Sequence, residues 1–452
     1  MPIIYSAGWV LPITSSLIED GAVAVDDSEI LGIGSRHEII SRFPDFRIED
    51  FGQAAILPGL VNAHSHLELT VMRGFLEREE SNFFAWLRKL TVARMAMTPE
   101  DLRVSATCGA IEAARAGITC VADASSAATE AMKALREVGL RGIVYQESFG
   151  PDPKLAAENV AKLREQISSM REQENDLVRA GVSPHAPYTV SAPQLKLISR
   201  LAMSEKLPLM MHAAESQAEK SFMLEGSGSF AEGLRARGIE WQAPGVSTIQ
   251  YLARHGILET KPLLAHCINV DHVDLDLIKQ SGAGIAHCPK SNAKLGHGRA
   301  PFAEFVAHDI NVGLGSDSVA SNNICDLLEE ARFATLFSRL PSTLDTPAIT
   351  AEQALFAATL GGARALGLEN QIGALAEGMQ ADIAVVSLNG MHQLPVNDPV
   401  DALIFSSSGR DVLLTMVAGK EIYREGQVSG FDEAELRLQI AKARTRINAR
   451  EE

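Results

Sequence analysis

The sequence predicts an α/β protein: a (β/α)8 TIM barrel carrying a small β-sandwich domain formed by both chain ends. Three observations predict it. Apolar strand-like segments alternate with long helical segments through the middle of the chain. Eight such units fit that middle, as a closed barrel requires. Short β-branched runs cut by Gly and Asp occupy both ends.

Taken in order, residues 1–57 read as short strands with turns, as in GAVAVDDSEILGIG and QAAILPG. Residues 58–365 form the barrel. Its expected strands are ILPGLVNAHSH (56–66), GITCVADAS (117–125), RGIVYQESF (141–149), RAGVSPHAP (179–187), LPLMMHAAE (207–215), KPLLAHCIN (261–269), GAGIAHCPKSN (282–292) and INVGLGSDS (310–318). Segments such as PEDLRVSATCGAIEAARA and DPKLAAENVAKLREQISSMREQ read as the helices between them. Alternation of this kind implies a parallel sheet. An open doubly wound sheet is the competing topology, but no GxGxxG follows the first strand. Residues 366–430 return to short strands (ADIAVVSL, DALIFSS, DVLLTMVAGKEIY) and complete the composite β domain with 1–57. Residues 431–452 read as a charged amphipathic helix.

Bulk properties narrow the function. Apolar residues are 46% and charged residues 22% of the 452, ordinary for a soluble enzyme. A net charge of −16 argues against nucleic acid or an anionic membrane as partner. No apolar run is long enough to span a bilayer, and MPIIYSAGWVLPITSS lacks the features of a signal peptide. Five cysteines, an odd number without a CxxC, suit a reducing, cytoplasmic setting. The expected partners are a small-molecule substrate and, at most, a second copy in a homodimer.

Barrel active sites lie at the C-terminal ends of the strands, and polar groups cluster there. Strand one ends in His64-Ser65-His66, strand four in Pro184-His185, and strand five in His212 with Glu215 beyond it. Strand six ends in His266, strand seven in His287 and strand eight in Asp317. One histidine at a strand end is commonly a packed structural residue. Histidine or aspartate closing six of eight strands is not explained by packing. In a strand, the HxH spacing puts His64 and His66 on one face. With His212 and Asp317 they make a three-nitrogen, one-oxygen donor set. Such a set suits one divalent metal ion, Zn2+ foremost and Fe2+ as the other candidate, with a position left open for chemistry.

The ordered set PGLVNAHSHLE, HAAE, AHC, HCPKSNAKLG and GLGSDS resembles the amidohydrolase superfamily. The likeness is to its branch of cytosine, guanine and adenosyl-type deaminases and triazine hydrolases, and it spans nearly the whole chain. The resemblance implies that His64, His66, His212 and Asp317 hold the metal. It implies that Glu215 shuttles protons to the ring nitrogen and leaving group, and that His266 polarises a metal-bound water. Asp317 would also take that water's proton, and the hydroxide so formed would attack the ring carbon. No lysine stands at the end of strand four, which favours one metal over two. His185, Glu68 and Trp86 are the candidate substrate contacts. Each has a plainer alternative: a packed histidine between prolines, a turn cap, and the buried face of a helix.

Three functions compete on this sequence. A deaminase of an aminated heteroaromatic is favoured by Glu215, because a leaving amine needs a proton. A triazine-type chlorohydrolase would share the metal ligands but not that need. A non-catalytic metal-dependent binding protein would need neither Glu215 nor His266. Ala85 before Trp86, and Gln146-Glu147-Ser148 at the end of strand three, depart from the adenosylhomocysteine-type pattern, leaving no Arg there for a substrate carboxylate. The AHSHLELT and FFAWLRK segments are instead similar to aminodeoxyfutalosine deaminases.

Overall fold

Eight parallel strands form a closed ring in the computed structural model, which describes residues 2–340 and 347–448. They are Leu60–Ser65, Ile118–Ser125, Arg141–Ser148, Val178–Pro184, Met210–Ala213, Leu263–His266, Gly284–His287 and Asn311–Leu314. The first four and the last four each make a parallel sheet. Single bridges join the sheets at Val182–Leu209 and at Ser65–Asp317. Small and medium side chains, among them Val61, Ala63, Ala122, Ile143, Met210, Ala265 and Ala286, fill the interior. Helices bury the outer face, so the strands read as nearly continuous apolar runs. The helix Pro99–Arg115 shows how local sequence fixes an element. Thr98 and Asp101 form a capping box, and Pro99 occupies the first turn, where its missing N–H costs nothing.

The first expected barrel strand proves to be two. Ala54–Pro58 belongs to the terminal sheet, and only Leu60–Ser65 enters the barrel. Gly59 makes the crossing. A Cβ there would lie 2.1 Å from the Thr119 side chain, so only glycine lets the two strands pass this closely.

Both chain ends build one nine-stranded sheet. Its two contributions meet where Ala54–Pro58 pairs antiparallel with Ile383–Ser387. Ile3–Val10, Ile18–Asp26 and Glu29–Ser35 extend one side, and Val412–Val417 and Lys420–Arg424 extend the other. The C-terminal helix, Glu433–Asn448, packs Ala443 and Ile447 into a cluster with Leu69, Met72 and Trp86. Residues 449–452 of the segment expected to be helical lie outside the described residues. Four cysteines are buried, Cys108 is partly so, and all five are free thiols. No helix among the described residues is long and apolar enough to cross a membrane.

A buried ion pair locks the sheet to the barrel floor. Arg141 opens the third barrel strand, and Asp382 lies just before Ile383–Ser387. The guanidinium donates two bonds to the carboxylate, Nε to Oδ2 and Nη2 to Oδ1, each 3.0 Å. Both residues are buried. Asp382 Oδ1 also accepts from Ala418 N, and the Asp382 carbonyl accepts from Gly59 N. Asp382→Ala would strand a guanidinium without a counter-charge. The expected loss of unfolding free energy is about 3–5 kcal/mol. The double change Arg141→Met with Asp382→Leu is expected to recover most of it. Denaturant unfolding checks both, and an Asp382→Ala protein of unchanged stability would refute the assignment.

Candidate metal centre

The barrel's C-terminal edge gathers five of the polar side chains singled out by sequence. His64 lies in the first strand, and His66 stands one residue past its end. Asp123, on the second strand, pins the residues on either side of His66, accepting from Ser65 Oγ at 2.9 Å and from Leu67 N at 2.7 Å. His212 lies in the fifth strand, His266 ends the sixth, and Asp317 follows the eighth. The backbone turns sharply at this rim. Ala214, His266, Cys267 and Asp317 all have positive φ, from 47° to 75°. Left-handed backbone is unfavourable for residues with a Cβ and persists where surroundings impose it. At Ala214 the imposing group is Glu219. Its buried carboxylate accepts from Ala214 N and Glu215 N, both 2.8 Å, and from Thr248 Oγ1 at 2.7 Å. Burial pushes this carboxyl up to about 7. At Asp317 the backbone N–H donates to the His64 carbonyl, tying strand eight to strand one.

The imidazoles converge with their lone pairs inward. His212 Nδ1 lies 3.0 Å from the His185 carbonyl and so carries the hydrogen, leaving Nε2 bare. That Nε2 is 3.2 Å from His66 Nε2. His64 Nε2 is 3.5 Å and His66 Nε2 3.6 Å from Asp317 Oδ1. His266 Nδ1 lies 2.9 Å from Asn292 Oδ1, which fixes its hydrogen there and frees Nε2. The Asp317 carboxylate accepts from Ser291 Oγ at 2.5 Å, Ser318 N at 2.7 Å and Ser321 Oγ at 3.3 Å. Burial holds His64 down at about 3 and lowers His212, so both stay neutral at ordinary pH. Burial alone would raise Asp317, but the surrounding imidazoles, His64 first, hold it well below the usual carboxylate range.

This donor set fits a cation. His64 Nε2 is fully buried and has no hydrogen-bond partner. Two imidazole nitrogens facing each other at 3.2 Å can share at most one hydrogen between them. Ligand atoms of His64, His66 and Asp317 lie within 4.8 Å of one another, as do those of His64, His212 and His266. Neutral nitrogens and one carboxylate, each oriented by an outer hydrogen bond, are the donors that zinc and related divalent ions take.

Glu215 lies beside this cluster, buried, with Oε1 3.7 Å from His266 Nε2 and 3.5 Å from His297 Nε2. Tyr188 reaches its other oxygen at 3.4 Å. Burial would raise the Glu215 carboxyl, yet His266 and then His297 hold it far below normal, so it rests as an anion. His297 and Tyr188 were given no role by sequence reasoning. Asn292 and Ser291, which spacing places only in the turn after strand seven, hold His266 and Asp317. The HAPY and KSNAKLGH segments were the available signals. Their residues lie past strand ends, where spacing says little about direction. His287 is buried beside Phe302, away from the cavity that holds the other histidines.

That cavity, about 290 Å³, opens over the cluster and is walled by His66, His212, Glu215, His266 and Asp317 on one side. His185 lines it, with Nδ1 2.9 Å from Thr189 Oγ1. Glu68 lines it too, but its carboxylate is taken up by Ser125 Oγ, Ser126 N and Ala127 N. Trp86 sits in the wall on the helix Phe83–Met95. Glu147, at the end of strand three, contributes a buried carboxylate with one oxygen unpartnered. A larger cavity of about 550 Å³, near Leu11, Ile13 and Phe356, contains none of these groups.

Known proteins resemble this chain in sequence and in fold. A sequence model of the amidohydrolase family matches residues 55–422. A 5-methylthioadenosine/S-adenosylhomocysteine deaminase of Nitratidesulfovibrio vulgaris (strain Miyazaki F) is 31% identical over 436 residues, covering 95% of this chain and 93% of the relative. One from Pelotomaculum thermopropionicum is 32% identical over 437 residues, with 96% and 95% covered. Among solved structures, an adenosine deaminase from Xanthomonas campestris with bound zinc superposes with a TM-score of 0.85 at 27% identity, covering 99% of this chain and 98% of that one. A triazine hydrolase variant superposes with a TM-score of 0.85 at 23% identity, with 98% and 99% covered, which is a likeness of fold.

Proposed function

This chain belongs to the amidohydrolase family, and on that premise we propose that it is a zinc-dependent deaminase of an adenine-nucleoside-like substrate. The observation that carries the reading is a buried carboxyl, Glu215, that lines the cavity beside the cation-binding cluster, 3.7 Å from His266 Nε2. His64, His66, His212 and Asp317 would hold one divalent ion. Such an ion supplies water acidic enough to be nucleophilic at neutral pH. The rest is proton traffic among side chains. Asp317 is the base for the water's first proton. His266, with Nδ1 fixed on Asn292, presents Nε2 to the same water and orients it.

Glu215 does the transfer that distinguishes deamination. Water adds to the ring carbon bearing the amino group, and charge builds on the neighbouring ring nitrogen. A proton delivered there relieves it. Because Glu215 rests ionised, it must first collect a proton and then pass it on, which makes it a shuttle. The attacking water supplies both protons: one ends on the ring nitrogen, and the second, given up by its oxygen as the oxo group forms, leaves with the amino group as ammonia. Displacement of chloride would not need that last proton. Relatives 30–32% identical are named for 5-methylthioadenosine and S-adenosylhomocysteine, whereas the likeness to triazine hydrolases is one of fold. Free thiols suit a cytoplasmic enzyme.

The test is ammonia release from adenosine, 5′-methylthioadenosine, guanine and a chlorotriazine by purified protein. An adenine nucleoside is expected to be the best substrate, with about one zinc per chain and loss of turnover after chelation. Chloride release as the main activity, or full turnover without metal, would overturn the proposal.

A further inference from the structure

One fully buried carboxyl, Glu330, takes no part in the proton traffic and does not line the cavity. It projects from the helix Leu327–Ser338. Its two oxygens reach two different segments. Oε1 accepts from Asn322 Nδ2 at 2.6 Å, and Oε2 accepts from Lys290 N at 3.2 Å. These are the only hydrogen-bond partners of its side chain among the described residues. Burial pushes the carboxyl up to about 8.

Both partners lead to the metal centre. Asn322 Nδ2 also donates to the Ser316 carbonyl at 2.5 Å. That carbonyl belongs to the peptide whose N–H, on Asp317, donates to the His64 carbonyl at 2.9 Å. The peptide is thus held from both sides, and its plane sets φ of Asp317, which is 55°. Left-handed backbone at a residue with a Cβ persists where neighbours impose it. Lys290 lies in the first turn of the short helix Pro289–Lys294. The next two residues are Ser291, which donates to Asp317, and Asn292, which fixes His266.

Resting on the metal-centre reading, we propose that Glu330 is a positioning residue that clamps the Asp317 turn and the Ser291–Asn292 helix into one unit, so that the aspartate ligand and His266 keep a fixed relation. An apolar side chain in its place would leave two buried N–H donors without acceptors. Whatever movement satisfies them is passed on to Asp317 through Ser316 and to His266 through Asn292. Groups that orient a metal ligand change metal affinity or activity by about 10–100-fold when lost. Glu330 stands one hydrogen bond further out, which points to the lower end of that range.

The experiment measures the zinc dissociation constant, by competition with a chelating dye, and kcat and KM of the zinc-saturated full chain. Glu330→Met is expected to bind zinc about tenfold more weakly and to turn over about tenfold more slowly, with KM within about twofold because no cavity wall is touched. Glu330→Gln keeps one acceptor and is expected to recover part of both, leaving losses of about threefold. Asp382→Ala, destabilised at the barrel floor, is expected to keep the parent's zinc affinity and kcat while folded. A folded Glu330→Met with both values within about twofold of the parent overturns the proposal. Equal losses in Asp382→Ala also overturn it, since they would mark a general loosening. Should Glu330→Met not fold, parental zinc affinity and kcat in Glu330→Gln overturn it instead. Zinc affinity is read without substrate. A parent that binds zinc but releases no ammonia therefore refutes the deaminase reading and leaves the zinc comparison to judge Glu330, whereas a parent that binds no zinc refutes both.

Discussion

Glu215→Gln is expected to lower kcat by about 10³–10⁴-fold while zinc content stays near one per chain. The amide fills the same space and still accepts a hydrogen bond from Tyr188, which lies 3.4 Å from one carboxylate oxygen. It can no longer take up and hand on a proton. Glu215 lies beside the donor cluster but is not counted among its ligands, so the metal should remain. Removing the charge also deprives His266 and His297 of their anionic neighbour, 3.7 and 3.5 Å away. Part of the loss therefore comes from misplacing His266. Single-turnover rates and metal analysis on the same preparation check the expectation. A rate within tenfold of the parent would mean that protons travel by another route.

Asp317→Ala is expected to abolish both zinc retention and turnover, with a fall of about 10⁴-fold or more. This carboxylate is the only anion in the proposed ligand set, and it sits within 3.6 Å of Nε2 of both His64 and His66. It also ties strand eight to strand one through its backbone. Ser291→Ala removes one donor to the carboxylate and leaves the ligand in place. The expected effect there is about 10–100-fold in zinc affinity, as for other groups that orient a ligand. Zinc content after exhaustive dialysis ranks the two variants. Stoichiometric zinc in Asp317→Ala would dispose of the four-ligand arrangement.

The barrel was legible because its strands are short, apolar and separated by helices of ordinary length. The candidate ligands could be named because strand geometry converts spacing into direction. His64 and His66 must share a face, and a residue at a strand's C-terminal end must lie at the rim. Residues outside strands offer no such conversion. Whether His297 returns to Glu215, or Tyr188 faces inward, depends on how a loop folds back. Asn292 sits on a short helix whose orientation relative to His266 is set by packing. The merging of Ala54–Pro58 with Leu60–Ser65 has a local cause. Both halves are apolar and buried, and only the Pro-Gly between them marks the passage from one sheet to the next.

The pairing of Ala54–Pro58 with Ile383–Ser387 has a consequence during synthesis. A ribosome must extrude more than three hundred intervening residues before those hydrogen bonds can form. The helix that props Trp86 emerges later still. Closure of the pocket wall therefore waits on segments made long after the barrel's first strand, and chains that lack them lack the brace that shapes it.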